Sequence, residues 1–324
     1  MKTGKLSETL LTRSVIKQLR SNRKEVLQGA AVGCDCAFFS CRKEGMSVAS
    51  VTTAVVHDHE AMTVVTAAAN NIAAGGGSPA AVLVAAVFPK EAREAEIKEL
   101  TAEVESACSA LGIQVAGGDV RISSQVKKTV LTVTVLGYAK AEETSLPGKC
   151  RPGQDVVMSK WIALQGTALA AARREQELIK RFPVYMVEEA KAFASFVSVI
   201  PEAAIAVKSG VSRMHDVSGG GIFAALWELA EGADVGLEIE GKEIPIRQET
   251  VEICEFLGLN PYELLGGGAL LMICDNGREL VHKLKKEGIP AAIIGVTTDK
   301  KDRVILRDGE RRYLNRPGGE ELEK

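Results

Sequence analysis

Apolar and polar positions along the chain switch between a period of two and a period of about 3.6, and each switch marks an element. Residues 48–56 (VASVTTAVV) carry the strand pattern. So do residues 130–136, where Leu131, Val133 and Val135 alternate with Thr132 and Thr134, which predicts a strand with one polar or paired face. Between 91 and 111, Ile97, Leu100, Val104, Ala107 and Leu111 recur at helical spacing among Glu and Lys, which predicts an amphipathic helix. Residues 61–73 predict a small-residue helix stopped by Gly75-Gly76-Gly77, and the apolar run 80–88 predicts a short buried strand bounded by Pro79 and Pro89. Further on, the pattern predicts a strand at 155–159 and largely helical chain from 165 to 209. It continues with helix 222–231, strand 235–240, helix 248–257, strand 269–274, helix 277–287 and short final strands.

Strands and helices alternate in both halves, so the fold class is α/β or α+β. Leu146 to Gly153 contains two Pro-Gly units and interrupts all periodicity, which places a domain boundary there: 1–147 and 148–324. A length of 324 residues agrees with two domains.

Forty basic and 42 acidic side chains leave a net charge of −2 with no basic block, which excludes a nucleic-acid footprint. The start of the chain lacks the apolar core of a secretory signal, and charges interrupt each apolar run before membrane-spanning length. A cytoplasmic protein with no membrane association is expected. Seven scattered cysteines, an odd number, read as reduced thiols.

The chain has no GxxxxGK[ST] loop, HExxH, GxSxG or paired CxxC, which argues against P-loop NTPases, zincins, α/β-hydrolases and thioredoxins. Gly219-Gly220-Gly221-Ile222-Phe223-Ala224 fits a dinucleotide fingerprint, with Glu238 and Glu240 downstream. The preceding stretch 211–217 is too polar for a buried first strand, so the firmer reading is a helix N-terminus whose glycines bare amides to phosphate. Cys34, Cys36 and Cys41 could meet a soft metal but lack a fourth ligand, and His57 and His59 read as solvated. Two glycine-rich turns end in acid: Gly33-Cys34-Asp35 and Gly117-Gly118-Asp119. Such a turn can hold a hydrated magnesium ion while its amides meet phosphate, or be an ordinary Asp-bearing turn.

Taken in order, these segments resemble the AIR synthase (PurM-like) superfamily, and within it the HypE-like proteins. Gly4-Lys5-Leu6 looks like the GKL opening, and Gly33-Cys34-Asp35-Cys36-Ala37 is similar to a G-[ED]-D-[AC]-A turn. Thr52-Thr53-Ala54 stands where the superfamily has T-T/S-D, and Asn70-Asn71-Ile72-Ala73 resembles N-D-[IL]-A. Gly117-Gly118-Asp119 resembles the GG-[DHE]-T turn, and Met158-Ser159-Lys160 with Gln165-Gly166-Thr167-Ala168 resembles M-T-K followed by E-G-T-A. His215-Asp216-Val217-Ser218-Gly219-Gly220-Gly221 looks like H-D-[PV]-T-x-G-G.

The resemblance implies a two-domain fold, with an N-terminal sheet that completes a barrel across a homodimer and an α+β C-terminal domain. It implies ATP as ligand, magnesium on Asp35 and Asp119, and a protein partner in a maturation pathway. The nucleotide set carried over is Lys5, Asp35, Asn71, Gly117, Gly118, Asp119, Lys160, His215, Asp216, Gly219 and Gly220. Ala54, Asn71, Cys36 and Gln165 stand where the family has acids or a second acid, so slow turnover or none is expected. Gly319-Glu320-Glu321-Leu322 resembles the G-E-x-L that precedes the cysteine tail of HypE, but no such cysteine follows here. Two functions are open on this reading: ATP-dependent activation of a substrate oxygen, or a nucleotide-binding scaffold without turnover.

Overall fold

The computed structural model describes residues 4–5, 12–20, 23–28, 38–39, 46–56, 60–139 and 150–315. Asp35, the cysteines at 34, 36 and 41, His57, His59, the 147/148 boundary and residues 319–324 lie outside the described residues. The chain divides into two compact units, Met1–Ile72 with Gly77–Glu142, and Ala73–Gly76 with Glu143–Lys324.

The first unit has strands β1 (Gly4–Lys5), β2 (Val26–Gln28), β3 (Phe38–Phe39), β4 (Met46–Val55), β5 (Ser78–Pro89), β6 (Gln114–Ser123) and β7 (Val130–Ala139). Its helices are α1 (Ala61–Ala74) and α2 (Glu94–Leu111). Five strands form a sheet in the order β1-β6-β5-β7-β4, and β2 pairs with β3. Strands β5 and β6 are parallel with α2 as the crossover, the connection that parallel neighbours need. Helix α2 buries Ile97, Val104, Ala107 and Cys108, and Gly112 closes it in the left-handed conformation, φ +67°. Strand β5 is longer than its apolar run suggests and takes in Pro79 and Pro89, both near its ends, where the missing N–H costs little.

Register assigns the two faces of the sheet. Val82, Ala86, Phe88, Leu131, Val133 and Val135 are fully or nearly fully buried on one face, and Ser50, Thr52 and Ala54 of β4 share that face. Asn71 Nδ2 of α1 donates to Ser50 Oγ at 3.0 Å, so α1 lies over it. Across the opposite face, covered at one end by Val26 of β2 against Leu83 and Leu136 and open at the other, runs the row Asp119, Ala85, Thr132, Thr53, one residue from each of four strands. The two threonine hydroxyls bond at 3.0 Å, and Val51 and Val55 flank them at 61% and 52% exposure.

Gly117-Gly118-Asp119 is not a turn. It lies inside β6, at a β5/β6 register shift between Val82 and Leu83. Glycine is required there for closeness: a Cβ on Gly118 would stand 1.9 Å from the Val84 carbonyl oxygen.

The second unit contains β8 (Asp155–Ser159), α3 (Leu164–Arg173), α4 (Glu175–Leu178), α5 (Val184–Ala192), α6 (Ile200–Lys208), β9 (Arg213–Asp216), α7 (Gly221–Ala233) and β10 (Gly236–Glu240). It continues with α8 (Gln248–Leu257), β11 (Leu270–Cys274), α9 (Gly277–Lys286), β12 (Ala291–Thr298), β13 (Arg303–Arg307) and β14 (Glu310–Tyr313). The sheet order is β14-β13-β10-β12-β8-β11-β9. The expected helical stretch 165–209 is broken into pieces, with Pro183 capping α5 and Pro201 in the first turn of α6, where proline is tolerated.

Strand β11 is wholly buried because both faces are covered. Leu271 and Ile273 pack with Ile222, Leu226 and Leu229 of α7 on one side. Leu270 and Met272 pack with Ala203 of α6 and with Leu280 and Leu284 of α9 on the other. The dinucleotide fingerprint fails here: β9 is an edge strand, and three strands separate it from β10. Both tryptophans of the chain are in this unit. Arg303 stacks over Trp227 at 4.1 Å, and Arg247 over Trp161 at 5.2 Å. Among the described residues no single helix is long and apolar enough to cross a membrane.

The Gly118 contact makes a direct prediction. Gly118→Ala should lower stability by about 1–3 kcal/mol through overpacking against rigid backbone. Gly112→Ala, with open space around it, should cost less, about 1 kcal/mol for its left-handed backbone. Paired urea titrations would rank the two.

Candidate functional site

The strand–turn–helix 213–233 forms because β9 ends at Asp216 and Gly220 and Gly221 adopt φ +73° and +67°, turning the chain into α7. Side chains are excluded on both glycines. A Cβ on Gly220 would lie 2.8 Å from that of Ala224, and one on Gly221 would lie 2.5 Å from the Tyr262 carbonyl. The amides of Gly219 and Gly220 make no hydrogen bond among the described residues. They stand at the positive end of a 13-residue helix, which suits an anion.

A second glycine turn, Gly266-Gly267-Gly268, is zipped to the first. The Gly266 amide donates to Ser218 O at 3.0 Å, and the Val217 amide to Ala269 O at 2.9 Å. A Cβ on Gly267 would fall 1.9 Å from Gln165 Oε1, and one on Gly266 2.4 Å from Val217 Cγ1. Gln165, the residue standing in for the E-G-T-A acid, is buried against this second turn. Sequence reasoning missed the second turn. Its one signal was a three-glycine run ahead of an apolar strand.

Asp216 is buried at the head of this loop. Burial pushes its carboxyl above the usual range, and the nearby His215 and its own amide work against that shift without reversing it. His215 points to the other side of β9, with Nε2 3.0 Å from Glu228 Oε2 of α7. The H-D pair therefore divides, with the imidazole on the helix and the carboxyl inside.

Lys160 is placed differently from a phosphate ligand. Its ammonium is buried, 2.7 Å from Glu202 Oε1, and donates to Phe196 O at 2.8 Å and Ser198 O at 2.6 Å. Three acceptors account for its three N–H groups. Burial pushes its pKa down, and Glu202 opposes that.

In the first unit, Gly117, Gly118 and Asp119 lie on β6, with Asp119 on the open face and Asn71 on the covered one. Lys5 in β1 pairs with Arg121 in register. Asp119 Oδ2 accepts from Arg121 Nε at 2.6 Å, while Oδ1 makes no hydrogen bond among the described residues. The fit to magnesium is limited to that one carboxylate, whose other oxygen is committed to a cation. Among the described residues no three His, Cys, Asp or Glu side chains converge as a metal site.

Two domain models account for most of the chain. Residues 23–139 match the N-terminal domain of AIR synthase related proteins, and residues 151–307 the C-terminal domain. The chain belongs to this family. Carbamoyl dehydratase HypE of Rhodobacter capsulatus is 24% identical over 220 residues, 66% of this chain and 62% of that protein. The chain thus spans about three fifths of that relative's length. The fold matches E. coli HypE, a hydrogenase maturation protein, with TM-score 0.80 at 18% identity, covering 98% of this chain and 99% of that one. It also matches HypE in complex with ATP, with TM-score 0.79 at 18% identity and coverage of 97% and 95%.

Asp216 gives this AIR synthase related chain a pH-dependent cost. With its folded pKa raised, the unfolded chain ionises first as pH rises, so this group removes stability above the ordinary carboxylate range, near pH 4. Asp216→Asn should therefore raise the unfolding temperature at pH 8 and lose that advantage below about pH 4. Calorimetry at the two pH values measures it, and a loss at pH 8 would show that the carboxylate supports the fold.

Proposed function

We propose that the chain is an ATP-binding, HypE-like protein that uses ATP to activate a substrate oxygen in a maturation or biosynthetic step. The observation that carries this is the pair of glycine amides at the start of α7 that make no hydrogen bond among the described residues, backed by a second glycine turn that keeps side chains out. Family membership and the fold shared with an ATP-bound HypE support it. In this reading the phosphates meet Gly219 and Gly220. A maturation partner is the expected source of the substrate.

Isothermal titration with Mg-ATP tests the reading. Gly220→Val puts a branched side chain where the backbone is left-handed and Ala224 is close, and should weaken binding at least tenfold. Unchanged affinity would remove the cradle from the site. Without partner or substrate, hydrolysis should be far below a kinase-like rate of roughly 1–100 per second, because positions 54 and 71 offer no carboxylate.

We further propose a cytoplasmic homodimer that covers the open face of the first unit. Val51 and Val55 are apolar yet more than half exposed beside the threonine row. An interface of more than about 1,000 Å² is expected. Val51→Asp should convert the dimer to monomer in light scattering, and a monomeric wild type at micromolar concentration would sink the idea.

A further inference from the structure

We infer that Lys160 is a positioning residue that holds the Phe196–Ser198 segment and, through it, the Gly266–Gly268 turn behind the phosphate cradle, without touching the nucleotide. The inference rests on the proposed nucleotide reading for what the turn serves, but not for how the turn is held.

The backbone supplies the first reason. Lys160 has φ +53°, a conformation that favours glycine, at the end of β8. A lysine persists in such a position when the surroundings over-determine it. Here they do: the backbone amide donates to Pro290 O at 2.7 Å, and the ammonium is saturated by Glu202 and two carbonyls. A groove of about 880 Å³ lies beside it, yet the side chain turns to these internal acceptors.

The contacts then run to the turn by two routes. Phe196 O, which accepts from Lys160, is also the atom that a Cβ on Gly268 would meet at 2.7 Å, and Val197 Cα would be 3.1 Å away. Gly268 itself has φ +113°. By the second route, Ser159 Oγ donates to Glu202 Oε1 at 3.2 Å and accepts the Leu270 amide at 3.0 Å, two residues past Gly268. Lys160 and Glu202 thus grip both sides of Gly268. Gly267 follows against Gln165, and Gly266 bonds Ser218 at the cradle. A buried ion pair is weak evidence for stability, whereas fixing one arrangement is its better-attested use.

The test uses the full-length chain and the double variant Lys160→Met with Glu202→Gln, which removes both charges so that neither is left buried alone. Ser159→Ala serves as a milder second variant. Hydrogen exchange of the unliganded proteins and calorimetry with Mg-ATP are the readouts. The expected result is exchange at least tenfold faster over residues 264–270, unchanged exchange in α7, and Mg-ATP affinity at least tenfold weaker. Ser159→Ala should shift the exchange in the same direction. A lysine that only supports the fold would lower the melting temperature and accelerate exchange throughout the unit. Weaker ATP binding with unaltered exchange in the unliganded protein would make Lys160 a direct ligand and overturn the inference. Unaltered exchange and unaltered affinity would also overturn it. If wild type binds no Mg-ATP, the proposed function fails, and the exchange comparison alone still decides whether Lys160 holds the turn.

Discussion

One ammonium buried beside one carboxylate, Lys160 with Glu202, is the constraint on which the second unit's loops depend. Both charges are nearly fully buried, so each must be satisfied by a partner in the interior. The requirement holds the segment before α6 against the end of β8 and the start of β11, which already meet as paired antiparallel strands. The sheet provides the platform, with β11 covered on both faces, but the sheet alone does not say where the glycine turns go. Polar satisfaction does.

How much of this was legible depended on whether the signal was local. The strand at 130–139 and the helix at 94–111 follow from side-chain period, and both appear at nearly the expected residues. Gly117-Gly118-Asp119 misled, because glycine beside an acid is the composition of a turn. The reason for Gly118 is a carbonyl on Val84, a neighbour made only by the parallel crossover. The same limit hid Glu202, an ordinary helix glutamate in sequence, and the turn at 266–268, whose partner Gln165 is about a hundred residues earlier. The Pro-broken stretch 165–209 was readable as helical but not as separate helices, although Pro183 and Pro201 carried the information.

Motif order was informative about family and silent about faces. Asn71 and Ala54 sit on the side of the first sheet covered by α1, and Asp119 on the open side, a division that only strand register reveals. Residues adjacent in a list of family positions are therefore held by different neighbours. The Ser50 hydroxyl meets Asn71, and the Arg121 guanidinium meets Asp119. Loss of an acid on the covered side leaves the charge balance of the open side unchanged.

The aromatic residues have an optical consequence. Trp161 and Trp227, the only tryptophans, both belong to the second unit, each with a guanidinium over its ring. Indole emission therefore reports the second unit and is blind to the first, whose melting would pass unseen in a fluorescence scan while backbone circular dichroism records both. A gap between the two traces would measure how far the units unfold independently of each other.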